Sequence, residues 1–158
     1  MAYIRVKKIN NKPYAYLVEN KKTANGPRQK VLQYLGRVHH FEPQKENALQ
    51  EIRVQNKKEF IRQLASSTLE AHGFKRNQKN LVQEKITFSP QQLTLIKNNK
   101  EAILAVNEGK LCSFTLQRLA NFKKTRDLNK DANLLARYFL EAGLPVSQEQ
   151  FVSFYQLF

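Results

Sequence analysis

A single cysteine, Cys112, and no tryptophan occur among the 158 residues. One thiol excludes an intramolecular disulfide and gives no sign of an oxidising compartment, so a cytoplasmic home is expected. No run of about 18 apolar residues is present, and the first dozen residues carry charges where a signal peptide needs an apolar stretch. Neither a membrane span nor secretion is expected. Aspartate is scarce as well, with only Asp127 and Asp131. Two-metal phosphoryl transfer needs several carboxylates converging on Mg²⁺, whereas two carboxylates four residues apart at an expected helix start read as end caps. Nucleotide-cradling glycine loops of the Walker or Rossmann type do not occur. His39, His40, His72 and the lone cysteine have no zinc-site spacing, and Cys112 reads as a buried thiol at a helix entry. The chain is therefore expected to be non-enzymatic, with no catalytic residue, metal site or cofactor.

What is abundant is positive charge. Lys and Arg number 27 against 13 Asp and Glu, a formal net charge of +14 and a pI near 10.0. Such an excess sets up a long-range field that draws in polyanions. Nucleic acid is the default partner, with a generally basic proteome or an anionic lipid surface as the blander alternatives. Residues 1–42 hold nine of the cations and two of the acids, a net +7, so half the excess lies in about a quarter of the chain. Tyr3, Tyr14, Tyr16 and Tyr34, four of the six tyrosines, share that segment.

Apolar residues make up 41% of the sequence, enough to bury a core. The pattern predicts an α+β fold: a small three-stranded antiparallel meander at the amino terminus, a long helix, then a helical bundle. Residues 3–9 and 13–19 alternate at period two around Asn10-Asn11, a pair that tolerates the positive φ of a tight hairpin. A third strand is expected over 28–35, ending at Gly36. These strands make a basic meander domain over residues 1–42. Ile4, Val6, Leu17 and Leu32, with Val18 or Tyr34 as further candidates, would supply its buried face and Arg5 and Lys7 the opposite one, joined or edged by Arg28 and Lys30. Residues 43–80 form the second unit, a long basic helix and connector, because Leu49, Ile52, Phe60, Ile61, Leu64 and Leu69 recur at helical spacing. Arg53, Lys57, Lys58 and Arg62 would extend the basic surface there, or simply decorate a solvated face. Residues 81–158 are expected to be the bundle, after a short strand over 81–88. Ser89-Pro90 with Gln92 reads as a capping-box start for a helix running to Asn107. Further helices are expected over 114–124, 128–142 and 148–157, the last one apolar enough to close the core or to join two copies of the chain.

Residues 3–38, with YIRVKKI, KPYAYLVEN and RQKVLQYLGRV, resemble the short amino-terminal region found ahead of the catalytic domain in some insertion-sequence transposases, and in uncharacterised small archaeal proteins. The resemblance implies a role in holding DNA and implicates Arg5, Lys7, Tyr14, Tyr16, Arg28, Lys30 and Arg37. It does not extend to strand transfer, because the Asp, Asp and Glu of the catalytic domain have no counterpart here.

The expected function is nucleic-acid binding, with double-stranded DNA favoured over structured or ribosomal RNA. The expected contacts are Arg5, Lys7, Lys12, Tyr14, Tyr16, Arg28, Lys30, Arg37, Arg53 and Lys57. Lys and Arg release counterions from phosphates, and tyrosine stacks on bases or hydrogen-bonds a phosphate. A two- or three-stranded ribbon also fits the major groove. The alternative of another class is a helical protein-interaction module whose basic charge is incidental. No membrane partner is expected.

Overall fold

The computed structural model describes residues 1–46 and 51–158. Among them are ten strands in two five-stranded sheets and four helices, so the expected architecture is overturned. Among the described residues there is no helical bundle over 81–158 and no long helix over 43–80. Residues 75–111 are instead a series of short strands, and one 15-residue helix, α1 (Lys57–Ala71), stands in the middle segment. The expected helical position Leu49 lies outside the described residues.

The first sheet runs β1 (Ala2–Ile9), β2 (Lys12–Thr23), β3 (Gly26–His40), β9 (Ile103–Val106), β10 (Gly109–Leu111). Its first three strands are antiparallel, and β3 then pairs in parallel with β9 through Val38↔Ile103. Asn10 and Asn11, at φ 50° and 60°, close the β1–β2 hairpin in the primed turn that suits strand twist. Strand β3 carries two bulges, where Leu35 and Leu32 have no partner on β2. A bulge shifts every later side chain to the other face of its strand. Tyr34 and Arg37, three apart, would otherwise lie on opposite faces.

The second sheet is an antiparallel meander of β4 (Lys75–Asn77), β5 (Asn80–Gln83), β6 (Ile86–Ser89), β7 (Thr94–Lys97) and β8 (Lys100–Glu101). Asn98 and Asn99, both at positive φ, turn β7 into β8, and Glu84 with Lys85 does the same between β5 and β6. The Ser-Pro-Gln-Gln stretch read as a helix cap is the β6–β7 turn, in which Ser89 Oγ accepts from the Gln92 amide at 3.4 Å. That side-chain bond serves a helix start and a turn equally well, which is why the motif misdirected the expectation.

The carboxy-terminal helices are α2 (Ser113–Ala120), α3 (Leu128–Ala142) and α4 (Gln148–Gln156). Ser147 and Gln150 form the capping box at the start of α4, and Gly143, at φ +70°, ends α3. Phe154 of α4 is fully buried, with Phe151, Tyr155, Leu157 and Phe158 packed around the main core, so the apolar side of the last helix is used within the chain. That core also takes Phe60, Leu64, Phe88, Leu95, Leu104, Leu116 and Phe139, and so spans the second sheet and all four helices. A smaller cluster of Ala15, Leu17, Leu35, Val38, Ile103 and Cys112 lies under the first sheet. Arg118 joins the two regions. Its guanidinium meets Glu141 at 2.6 Å and the Ala2 carbonyl at 2.6 Å, and lies over the rings of Phe114 and Tyr138.

Candidate nucleic-acid interface

Register assigns every side chain of β1–β3 to a face, because residues opposite one another in an antiparallel pair point the same way. One face holds Ala2, Ile4, Ala15 and Leu17 and covers the smaller core. The other carries Tyr3, Arg5 and Lys7 from β1, paired with Val18, Tyr16 and Tyr14 of β2, which in turn face Val31, Tyr34 and Arg37 of β3. Lys12, opposite Ile9, continues the same face beside the hairpin tip. No Asp or Glu of these strands lies on it, since Glu19 pairs with Ala2 and Lys30 and so points the other way.

The tyrosines form a contiguous group. Tyr34 sits 5.3 Å from Tyr16 and 6.3 Å from Tyr14, centroid to centroid, and the Lys7 ammonium lies 5.4 Å from the Tyr16 ring. Tyr34 is 54% exposed. Gln29 donates to the Tyr3 hydroxyl at 2.5 Å and accepts from Arg5, tying the first strand to the base of the β2–β3 ribbon. Arg5, Lys7, Lys12 and Arg37 make no ion pair among the described residues.

Six of the ten expected contacts therefore come together: Arg5, Lys7, Lys12, Tyr14, Tyr16 and Arg37. Arg28 and Lys30 do not join them. They pair with Lys21 and Glu19 on the reverse face of the exposed β2–β3 ribbon, because the bulge at Leu32 separates their alternation from that of Tyr34. Arg53 lies in a non-helical segment and is paired with Glu51 at 2.8 Å. Lys57 stands at the start of α1 with its ammonium 3.9 Å from the Phe158 ring. Arg62 is spent on the Pro90 and Gln91 carbonyls, at 3.0 and 3.1 Å. Arg53, Lys57 and Arg62 are thus each engaged within the chain, so the basic surface does not run through these three.

It continues instead toward the second sheet. A cleft of about 520 Å³ opens where β3 meets the β7–β8 hairpin, lined by Tyr34, Arg37, His39, Lys97, Lys100 and Glu101 among others. Gly36 makes the approach possible. Its φ is +129°, and a Cβ there would stand 3.3 Å from the Glu101 carbonyl oxygen. His39 is held below its ordinary pKa first by burial and then by Lys97 and Arg37, with only Glu84 opposing. Tyr34, His39, Lys97 and Lys100 were not among the expected contacts. The lysines fell within a segment read as helical, and only the Asn98-Asn99 dipeptide marked the hairpin that presents them.

The remaining groups considered for chemistry have structural partners. Asp127 caps α3, accepting from the Lys130 amide at 3.1 Å. Asp131 accepts from the Thr125 amide and hydroxyl, each at 2.8 Å, and from Tyr155 at 3.3 Å. Cys112, at the entry to α2, is buried beside Thr115, and burial pushes its thiol up. His72 donates from Nδ1 to the Thr68 carbonyl at 2.8 Å, and His40 meets Glu42. Among the described residues no helix is long and apolar enough to cross a membrane.

No protein-family model, curated protein or solved structure matches this chain.

Proposed function

We propose that this protein is a non-enzymatic nucleic-acid-binding protein that receives a phosphate backbone, in the first instance that of duplex DNA, on the outward face of β1–β3. One observation carries the reading: four cations without ion pairs among the described residues, Arg5, Lys7, Lys12 and Arg37, share a carboxylate-free face with a cluster of tyrosines. Cations so arranged release counterions from a polyanion, and the tyrosines supply hydroxyls for phosphates and rings for bases. The resemblance of residues 3–38 to the transposase amino-terminal region favours DNA as the polymer. The exposed Tyr34 favours a second reading, RNA with unpaired bases, because single-stranded loops offer bases for stacking.

Fluorescence anisotropy with matched DNA and RNA duplexes over a salt series tests the proposal. Binding should weaken steeply as salt rises. Replacing Arg5, Lys7, Lys12 and Arg37 together by Gln should weaken it further and flatten the log–log salt slope by about 3 to 4. An unchanged slope in that variant removes the face from the interface, and a preference for RNA at every salt concentration removes the DNA reading.

A further inference from the structure

We infer that the cleft between the two sheets is a subsite for one unpaired nucleotide, its phosphate held among Arg37, Lys97 and Lys100 and its base laid against Tyr34. The inference rests on the proposed nucleic-acid reading and deepens it, since Arg37 and Tyr34 belong both to the outward face and to the cleft.

Lys97 and Lys100 are direct cross-strand partners beside the Asn98-Asn99 turn. Like charges in that relation repel, and here they also converge on Arg37 and His39. None of Arg37, Lys97 and Lys100 has an ion-pair partner among the described residues. The one carboxylate residue in the lining, Glu101, pairs with Ile96 and so projects to the other side of the β7–β8 ribbon from the two lysines. The cleft therefore concentrates positive charge that no ion pair among the described residues neutralises, and Glu84 is the one carboxylate that opposes it at His39. The depressed basicity of His39, caused by burial and then by Lys97 and Arg37 against Glu84, reports the same field from inside it. A phosphate placed there would relieve the repulsion between the lysines.

Size and the aromatic rim argue for more than a bare anion. A volume of about 520 Å³ falls within the range of small-molecule sites, far beyond what three cations need to surround a phosphate. Tyr34 borders this space and is 54% exposed although it touches Tyr14 and Tyr16, which leaves ring surface for a base. A paired base keeps its faces inside the duplex stack, so the nucleotide that uses Tyr34 is unpaired.

The test compares a blunt DNA duplex with the same duplex carrying a short single-stranded extension. The wild-type chain should bind the extended duplex about ten-fold more tightly, and the combined Lys97→Ala, Lys100→Ala variant should lose that preference. Equal wild-type affinity for the two duplexes overturns the subsite and leaves duplex binding standing, whereas failure to bind either overturns the reading beneath it. Nuclear magnetic resonance of the His39 imidazole in the wild-type chain gives a second readout that needs no variant. Its pKa should rise when the extended duplex binds. An equal rise with inorganic phosphate at the same concentration would remove the base from the proposal. A rise with a nucleoside monophosphate but none with the extended duplex would make free nucleotide the ligand and overturn the strand assignment.

Discussion

Asp131 shows how a side chain that suggests chemistry can be consumed by structure. The carboxylate is 2% exposed at the first turn of α3. Burial by itself raises its pKa, but the hydroxyl and amide of Thr125, the Tyr155 hydroxyl and nearby Lys124 outweigh burial and hold it below the ordinary carboxylate range. The folded state then binds fewer protons than the unfolded chain between the two pKa values, so stability rises with pH across that window. The contribution is fully present above the ordinary aspartate pKa of about 3.9 and is lost as pH falls through the depressed one. Asp131→Asn should therefore be less stable than the wild type at pH 7, with the difference shrinking as pH is lowered, in urea denaturation followed by circular dichroism. A gap that stays constant down to acid pH would deny the carboxylate this role. Tyr155 shares the interaction, and its hydroxyl is pushed up first by burial and then by the Asp131 charge.

At the scale of elements, the close passage of backbone past backbone decides where α3 can lie. A Cβ on Gly109, at the start of β10, would stand 2.1 Å from the amide nitrogen of Gly143, the left-handed cap of α3. Asn107 secures the same junction by donating to the Gly143 carbonyl at 2.6 Å. Gly109→Ala should destabilise the protein by roughly 1–3 kcal/mol through overpacking, seen as a lower midpoint in thermal unfolding. Because β10 is the end strand of the sheet that carries the tyrosine face, an unchanged midpoint would mean that the helix can move away without strain. The elements also show what was legible beforehand. The α3 helix matched its expected limits, 128–142, because Asp127 and Gly143 mark its ends and the apolar spacing between them is regular. The stretch 92–107 suggests a helix because Leu95, Ile96, Ala102, Leu104 and Val106 occupy helix-compatible spacings, whereas Ala102 links two strands and the other four belong to strands of four residues. Runs that short hold too few residues for alternation to be distinguished from helical spacing, and only turn residues reveal them.

For the molecule as a whole, the question is whether net charge or its arrangement would govern the proposed binding. Arg53, Lys57, Arg28 and Lys30 amount to the same formal charge as Arg5, Lys7, Lys12 and Arg37, but they lie on the reverse of the ribbon or beside Glu51 and Phe158. If arrangement governs, replacing the first four by Gln should weaken duplex binding less than replacing the second four, when both variants are measured at the same ionic strength. Equal losses would reduce the effect to bulk charge.

By itself the sequence determined that this chain carries a large positive excess, that its first 42 residues hold half of it among four tyrosines, and that the β1–β2 hairpin and α3 form where they do, because composition, period-two alternation and end caps are local properties. The tertiary structure decided which residues share a face. Two bulges in β3 turn Tyr34 and Arg37 toward Tyr14 and Tyr16 and leave Arg28 and Lys30 behind. The return of the chain through the second sheet, more than 50 residues after Arg37, brings Lys97 and Lys100 to the same cleft. The physical reason is that register and sheet-to-sheet contact depend on pairing between segments remote in the chain, and no local pattern encodes the offset at which they meet.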